Sequence, residues 1–234
     1  MFERPHHQRI AYVLGALDAE LLISNRCLFG GGTAIALRYG EYRESVDIDF
    51  LVSDIAGYRQ LRQLLTSERG LGALARAGRD IQQARELRAD QYGIRSAVRV
   101  GEVDIKFEVV LEARIQLDPP GAEDRIEGVA TLTPLDMATG KLLANSDRWA
   151  DDSVFNRDLI DLAMMKPGTA MLRRAASKAR GAYGDSIDTD LVKAARTLLA
   201  RQGRLDRCMD MLQMTPAVTP ALLRQRIKAL LPRA

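Results

Sequence analysis

The stretch FGGGTAIALRYGEYRESVDIDF, residues 29–50, constrains the fold of this chain more than any other. A short apolar piece runs into three consecutive glycines, Gly30–Gly32, and the residues from Thr33 to Tyr39 have a helical pattern. Apolar and polar residues then alternate from Ser45 to Ser53, and alternation with a period of two predicts a half-buried β-strand. The sequence therefore predicts a glycine turn and a helix start, followed by a strand that carries two carboxylates.

The two carboxylates belong to Asp47 and Asp49, which point to the same face of a strand because they are two residues apart. Neighbouring carboxylates repel each other, and a divalent cation such as Mg²⁺ would remove that cost. Glycines allow a backbone to approach a phosphate closely, and the amides at the start of a helix near Thr33 favour an anion. The pattern therefore predicts a phosphate and metal site. The alternative is a plain glycine turn before an exposed edge strand with two solvated aspartates.

Two common phosphate-binding motifs do not fit this stretch. No Gly-Lys-Ser/Thr follows the glycines, which excludes a Walker A loop. No GxGxxG follows a strand, so a dinucleotide fingerprint is excluded as well.

The composition is that of a globular protein, with 47% apolar and 28% charged residues in 234. No apolar run reaches the length of a membrane span and the start lacks signal-peptide character, so we expect a cytoplasmic protein without a membrane partner. Cys27 and Cys208 form no metal or redox pattern and are predicted to be buried apolar residues. His6 and His7 have no partner ligands at metal spacing and are predicted to be surface histidines.

The charge is divided unevenly along the chain. From Leu162 to the end there are 14 Lys+Arg and 5 Asp+Glu, whereas residues 1–161 carry 20 Lys+Arg and 26 Asp+Glu. The basic end could bind a polyanion, or it could consist of solvated helix faces, and charge alone does not decide between these interpretations.

The secondary-structure pattern predicts an α+β first half and an all-helical second half. One helix is expected over residues 6–23, another around residues 58–65, and a hairpin over residues 94–111 that turns at Gly101 and Glu102. A loop rich in proline and charge at residues 117–128 divides the chain into a first domain, 1–120, and a helical domain, 121–234. The helices predicted beyond it span Pro134–Asn145, Phe155–Met165, Ala170–Ala182, Asp190–Arg201, Leu205–Met214 and Pro220–Leu231.

The stretch GGGTA…RESVDIDF resembles the DNA polymerase β-like nucleotidyltransferases, which place a Gly-Gly or Gly-Ser at a helix start and an Asp-x-Asp on the next strand. It is more closely similar to the AbiEii/AbiGii toxin family, whose form is roughly GGTAL…R-x-S-x-DIDF. The matching residues are Gly31, Gly32, Thr33, Ala34, Arg43, Ser45, Asp47, Ile48, Asp49 and Phe50. The resemblance implies a polymerase β-like core, a small mixed sheet with helices, followed by the all-helical region.

Two later segments also resemble that family. GKLLANSDR at residues 140–148 matches its Lys-Leu-x-Ala stretch through Lys141, and NRDLIDL at residues 156–162 matches its Arg-Asp-x-x-Asp-Leu. A lysine is a suitable point charge for a triphosphate. Asp158 and Asp161 lie three residues apart and share a helix face, so one of them could hold Lys141 or a substrate amine.

The polymerase β-like fold usually has a third carboxylate on a later strand. In VDIKFEVV, Asp104, Lys106 and Glu108 share a face. Either acid could be the third metal ligand, and the resemblance of IKFEVV to the family's Lys-x-Asp/Glu strand favours Glu108 over Asp104.

The resemblance implies a magnesium-dependent enzyme that transfers a nucleoside monophosphate from a nucleoside triphosphate (NTP) to an RNA such as the 3′ end of tRNA. Such an enzyme would be a growth-inhibitory toxin with an antitoxin partner. The alternatives are a nucleotidyltransferase acting on a small molecule such as an antibiotic or on a protein, and a non-catalytic regulator that binds nucleotide or RNA.

The implied site residues fall into three groups. The catalytic group is Asp47, Asp49, Glu108, Lys141, Asp158 and Asp161. The nucleotide-binding group is Gly31, Gly32, Thr33, Arg43, Ser45 and Lys141. One or two Mg²⁺ ions would be held by Asp47, Asp49 and Glu108, or by Asp104 in place of Glu108.

Overall fold

The computed structural model describes residues 2–231, and the chain divides into two compact units. Unit 1 comprises Met1–Arg38 and Ser45–Thr133, and unit 2 comprises Tyr39–Glu44 and Pro134–Ala234. The short segment Tyr39–Glu44 therefore belongs to the second unit although residues on both sides of it belong to the first. The domain boundary predicted after residue 120 stays a prediction.

Unit 1 is built on a five-stranded mixed sheet. Its strands are β1 (Leu28–Gly30), β2 (Ile48–Val52), β3 (Arg88–Ala89), β4 (Gly93–Val100) and β5 (Val103–Leu111), in the order β1-β2-β5-β4-β3. The pair β2–β5 is parallel and the other neighbours are antiparallel. A two-stranded ribbon, β6 (Arg125–Ile126) and β7 (Val129–Ala130), was not predicted. The hairpin β4–β5 with its turn at Gly101 and Glu102 is confirmed.

Alternation along β2 separates its core face from its polar face. Ile48, Phe50 and Val52 are fully buried, and the ring of Phe50 lies 5.6 Å from that of Phe29 and 5.5 Å from that of Phe107. Full burial of such side chains contributes roughly 1.5–3 kcal/mol each. The apolar face of β2 is thus held in the core, which leaves Asp49 on the other face. The strand begins at Ile48, later than the predicted Ser45, so Asp47 immediately precedes it.

The helices of unit 1 are α1 (Pro5–Ala16), α2 (Ala19–Ser24), α3 (Gly31–Arg38) and α4 (Ile55–Leu65), with a 3-10 helix at Gly70–Leu74. The prediction of one helix over residues 6–23 is wrong, because the chain breaks at Leu17 and Asp18. Leu17 is extended and bridges Ala75, and the Asp18 carboxylate caps α2 by accepting a hydrogen bond from the amide of Leu21.

Unit 2 is helical, with α5 (Pro134–Arg148), α6 (Arg157–Met165), α7 (Thr169–Tyr183), α8 (Ser186–Ala200), α9 (Arg204–Met211) and α10 (Pro220–Ala229). Each of the six predicted helices is present with shifted ends. Helix α5 packs against α6, α7 and α8, and α6 also packs against α10. The α+β prediction is confirmed, and the all-helical part begins at Pro134, after the β6–β7 ribbon, within the described residues.

Cys27 and Cys208 are both buried thiols, as predicted. Among residues 2–231, no helix combines the length and the apolar character that a membrane span requires.

Candidate active site

Gly31 lies where β1 ends and α3 begins, directly beside the Asp49 carboxylate. Gly30 pairs with Asp49 across β1 and β2, and Gly31 has a φ of +68°, a conformation that favours glycine. A Cβ on Gly31 would overlap the Oδ2 atom of Asp49. Gly31 therefore serves two needs, because it makes the turn into α3 and leaves room for the carboxylate. Gly32 follows in the first turn of α3.

We expect Gly31→Ala to lower nucleotidyl transfer about 100-fold, because a displacement of Asp49 by about 1 Å is enough for such a loss. Gly128→Ala is the matched control, since Gly128 has a φ of +85° in the same unit and nothing near its Cβ position. Both variants bear the cost of a left-handed backbone, about 1–2 kcal/mol. Rates and melting temperatures of the two variants are compared. Equal activity of the two variants would contradict the steric role.

Thr33 and Ser45, both predicted to bind nucleotide, contact each other. The Thr33 hydroxyl donates a 2.9 Å hydrogen bond to the Ser45 hydroxyl, and Thr33 is buried in α3. The Ser45 amide in turn donates to His7 Nε2 at 3.2 Å. His7 is fully buried, so the prediction that it is a surface residue is wrong.

The parallel pairing of β2 with β5 places Glu108 directly beside Asp49. Asp49 and Glu108 are register partners, and Glu108 is half-buried. Asp104 lies four residues before Glu108 on β5, about 13 Å away along the strand. Its carboxylate binds Arg99 at 2.7 Å instead. This arrangement favours Glu108 over Asp104 as the acid that accompanies the aspartate pair.

Lys106 supplies a cation to the carboxylates. Its ammonium donates to Glu108 at 2.6 Å, and Arg95 Nε lies 3.3 Å from the other Glu108 oxygen. Partial burial lowers the pKa of Lys106, but the Glu108 hydrogen bond and the charges of Glu108, Asp47 and Asp49 outweigh it and raise that pKa. All three carboxylates therefore act on one ammonium group, which offsets their mutual repulsion.

The fit of a metal ion rests on the aspartate pair. In the described part of the chain, no three His, Cys, Asp or Glu side chains are arranged as a ready metal site. Mg²⁺ usually takes one or two carboxylates, with water and substrate phosphate completing its shell. Asp47 and Asp49 meet that requirement, whereas Glu108, which is engaged by Lys106 and Arg95, would have to change partners to join them.

In unit 2, Lys141 lies between the two aspartates of α6. Its ammonium is 2.9 Å from Asp158 Oδ1 and 2.6 Å from Asp161 Oδ2. Arg43 binds Asp161 with two hydrogen bonds, of 2.6 and 2.8 Å, and Tyr42 donates a third at 2.6 Å. The prediction that Asp158 or Asp161 holds Lys141 is confirmed, and both of them do.

Arg148 completes this buried network by donating to both oxygens of Asp158, at 2.7 and 3.0 Å. Burial raises the pKa of Asp158, but the charges of Lys141 and Arg148 outweigh it and hold that pKa well below its usual range. Burial acts in the same way on Asp161, and Arg43 and Lys141 likewise lower its pKa. Both carboxylates are therefore ionised, and each of them is paired with two of the three cations. Asp147 also acts on Arg148, so the charges of the network are balanced.

A family model describes the same chain. The model of the nucleotidyl transferase AbiEii toxin, of type IV toxin–antitoxin systems, matches residues 14–231. The chain belongs to the AbiEii nucleotidyltransferase toxin family. This AbiEii family member is therefore a nucleotidyltransferase toxin, and its family implies an NTP substrate and an antitoxin partner.

One solved structure has the same fold. The crystal structure of JHP933 from Helicobacter pylori is 18% identical with a TM-score of 0.51, covering 98% of this chain and 93% of the other. Another H. pylori structure, described as a candidate nucleotidyltransferase, is 18% identical with a TM-score of 0.49 and covers 96% of this chain and 92% of the other. At this identity the likeness concerns the fold alone. No curated protein sequence matches this chain significantly.

Several polar residues of this AbiEii family member were missed by sequence reasoning. Lys106 could have been found from its position on the same strand face as Glu108. Tyr42, Arg95, Arg148 and His7 carried no signal, because their partners lie on other segments whose pairing is set by the fold.

Proposed function

We propose that this toxin transfers a nucleoside monophosphate from an NTP to the 3′ end of tRNA or another RNA, with Asp47 and Asp49 holding one or two Mg²⁺ ions. The observation that carries the proposal is the meeting of Gly31, Asp49 and Glu108 at one end of β2. Gly31 lies where any Cβ atom would overlap the Asp49 carboxylate, and Glu108 lies beside Asp49 on the neighbouring strand.

Binding of the nucleotide would use the start of α3. The amides after Gly31 and the Ser45 hydroxyl can donate to phosphate oxygens, while the buried Thr33 hydroxyl donates to Ser45 and orients it. The helix dipole favours the negative charge. In unit 2, Lys141 is held by Asp158 and Asp161, and the phosphate-binding role that the family resemblance implies for that lysine stays a prediction. Arg43 is engaged by Asp161, and its own role toward nucleotide stays a prediction.

The transfer step joins an RNA hydroxyl to the nucleotide. The hydroxyl oxygen forms a bond to the α-phosphorus, the bond from that phosphorus to the bridging oxygen breaks, and pyrophosphate leaves. The hydroxyl proton passes to a carboxylate, for which Glu108 is our candidate, or to water. When bound, Mg²⁺ would lower the pKa of the attacking hydroxyl and stabilise the charge on the leaving pyrophosphate.

An RNA acceptor is supported by the basic helices of unit 2. Arg173 and Arg174 of α7, Arg196 of α8 and Lys228 of α10 have exposed side chains. Contacts with phosphates dominate RNA affinity and do not need a particular sequence. Such helices therefore suit a polyanion better than a cationic antibiotic.

The test is label transfer from each of four α-labelled NTPs to total tRNA in the presence of Mg²⁺ and the toxin. In the control the toxin is denatured. In parallel mixtures the tRNA is replaced by a bulk protein or by a small-molecule acceptor. Label on tRNA from one nucleotide would support the proposal and identify that nucleotide. Label on protein or on a small molecule would move the acceptor to those classes. A protein that binds NTP and transfers no label would support the non-catalytic alternative.

Lys106 gives a prediction about the metal. In Lys106→Met, the repulsion among Asp47, Asp49 and Glu108 is no longer offset, so Mg²⁺ should stabilise this variant more than the wild type. We expect a larger rise of the melting temperature on adding Mg²⁺, by about 2–4 °C. Arg99→Met, which removes a cation from the exposed pair of Arg99 on β4 with Asp104 on β5, is the control and should respond as the wild type does. An equal rise in both variants would contradict a shared site for Lys106 and the metal.

A further inference from the structure

The backbone just ahead of β2 is held by two histidines of α1. His6 Nε2 lies 2.9 Å from the carbonyl oxygen of Val46, and His7 Nε2 accepts a hydrogen bond from the amide of Ser45 at 3.2 Å. His7 is completely buried. Two side chains from the first turn of α1 therefore contact the backbone of Ser45 and Val46. Asp47 is the next residue along the chain.

The two histidines provide hydrogen-bond partners to backbone groups that the strands of the sheet do not pair. The pairing of β2 with β1 begins at Asp49 and its pairing with β5 begins at Ile48, so Ser45 and Val46 are outside both ladders. Ser45 is half-buried and its amide is bound by the buried His7, whereas Val46 is 47% exposed and His6 meets its carbonyl at the surface. An amide shielded from water needs a partner more than an exposed carbonyl does, so His7 contributes more than His6. The segment is thus ordered by side chains from a helix that lies about forty residues earlier in the sequence.

The partners fix the tautomers of both rings. A carbonyl oxygen only accepts, so His6 must carry its proton on Nε2. A backbone amide only donates, so His7 must have a bare Nε2 and carry its proton on Nδ1. An aliphatic residue at position 7 could fill the space but could not accept the hydrogen bond.

The same segment also reaches the predicted phosphate site. The Ser45 amide is held by His7, and the Ser45 hydroxyl accepts from Thr33 at the start of α3. His7 therefore contacts the backbone of Ser45, whose hydroxyl is predicted to bind phosphate, two residues before Asp47, whose carboxylate is predicted to bind metal. Neither histidine lies in the part of the chain that the family model matches, which begins at residue 14.

We propose that His7, assisted by His6, is a positioning residue that sets the place of Ser45 and Asp47 in the active site of this toxin. It does not touch the reacting groups, and its effect passes through the Ser45 amide. The inference rests on the proposed function, since it takes Asp47 as a metal ligand and Ser45 as a phosphate-binding residue.

The experiment compares His7→Leu with His7→Gln. Glutamine reaches about as far as Nε2 and can offer its amide oxygen to Ser45, whereas leucine only fills the space. In His7→Leu we expect hydrogen exchange at the Ser45 amide to speed up about tenfold. We expect kcat for label transfer to fall about 10–100-fold with little change in nucleotide affinity. In His7→Gln the exchange rate at Ser45 and kcat should both return to within about threefold of the wild-type values. Such a rescue would show that the hydrogen bond to Ser45 matters, and that filling the space at position 7 is not enough.

Two results would overturn the inference. One is an unchanged exchange rate at Ser45 in His7→Leu, and the other is faster exchange with wild-type kcat. If His7→Leu does not fold, kcat is compared between His6→Leu and His6→Gln, because His6 contacts the same segment at the Val46 carbonyl oxygen and, being half-exposed, is better tolerated when lost. A kcat of His6→Leu equal to that of His6→Gln would then count against the inference.

Asp47→Asn is measured alongside these variants. If Asp47→Asn keeps wild-type transfer, the proposed role of Asp47 fails, and the exchange rate still decides whether His7 holds the segment. If Asp47→Asn is inactive while both position-7 variants are fully active, the positioning inference alone fails.

Discussion

Asp49→Asn should abolish nucleotidyl transfer, with a loss of at least about 1000-fold, a size typical of removing a group that stabilises transition-state charge. Asparagine keeps the shape of the side chain on β2, so the core formed by Ile48, Phe50 and Val52 should be undisturbed. The reason for the loss is electrostatic, because a neutral amide neither balances the Lys106 ammonium nor holds Mg²⁺ beside the phosphates. Label transfer to tRNA and the unfolding curve of the same preparation are the measurements.

The matched control is Asp104→Asn on β5. Asp104 shares a strand face with Glu108 but binds Arg99 in an exposed pair, which is screened by solvent and adds little to stability. We expect this variant to keep wild-type activity, whereas Glu108→Gln should lose activity. Loss of activity in Asp104→Asn with retention in Glu108→Gln would reverse the assignment of the third carboxylate.

Asp161→Asn should destabilise the protein by about 3–5 kcal/mol, which is the usual cost of removing one partner from a buried ion pair. Asp161 is completely buried and accepts hydrogen bonds from Arg43 and Tyr42 while it faces Lys141. Without the charge of Asp161, Asp158 is the remaining carboxylate of the network that balances the buried cations Arg43 and Lys141. Urea unfolding followed by circular dichroism measures the change in free energy.

Asp188→Asn is the control for this second experiment. Asp188 binds Arg180 with two hydrogen bonds, but both side chains are more than 40% exposed, at 45% and 42%. Its removal should cost less than about 1 kcal/mol. If Asp161→Asn proved equally mild, the buried network would not be holding unit 2 together.

The same network predicts a direction for pH dependence. The pKa values of Asp158 and Asp161 are lowered in the folded protein, relative to about 3.9 for an unfolded aspartate. Their contribution to stability is therefore complete well above pH 4 and is lost as the pH falls toward the folded-state pKa values. Melting temperatures between pH 7 and pH 3 should fall less steeply in Asp158→Asn than in the wild type.

Local patterns in the sequence were enough for much of the fold. The period-two alternation identified β2, the Gly-Glu turn identified the β4–β5 hairpin, and helical spacing identified the six helices of unit 2. The break at Leu17 was not predicted, since the apolar spacing continues through it. The extended conformation there depends on a bridge to Ala75, a distant partner.

The sequence by itself determined which chemical groups are available in this toxin: a glycine turn, an aspartate pair at the start of a strand, and a lysine followed by two aspartates on one helix face. These are features of short segments, where spacing alone decides which side chains share a face. Only the tertiary structure decided that Glu108 rather than Asp104 lies beside Asp49, because that choice depends on the register of two strands. The tertiary structure also paired Arg43 with Asp161, 118 residues away, and placed His7 behind Ser45. Such pairings depend on which segments meet in the folded chain, and no local periodicity records that.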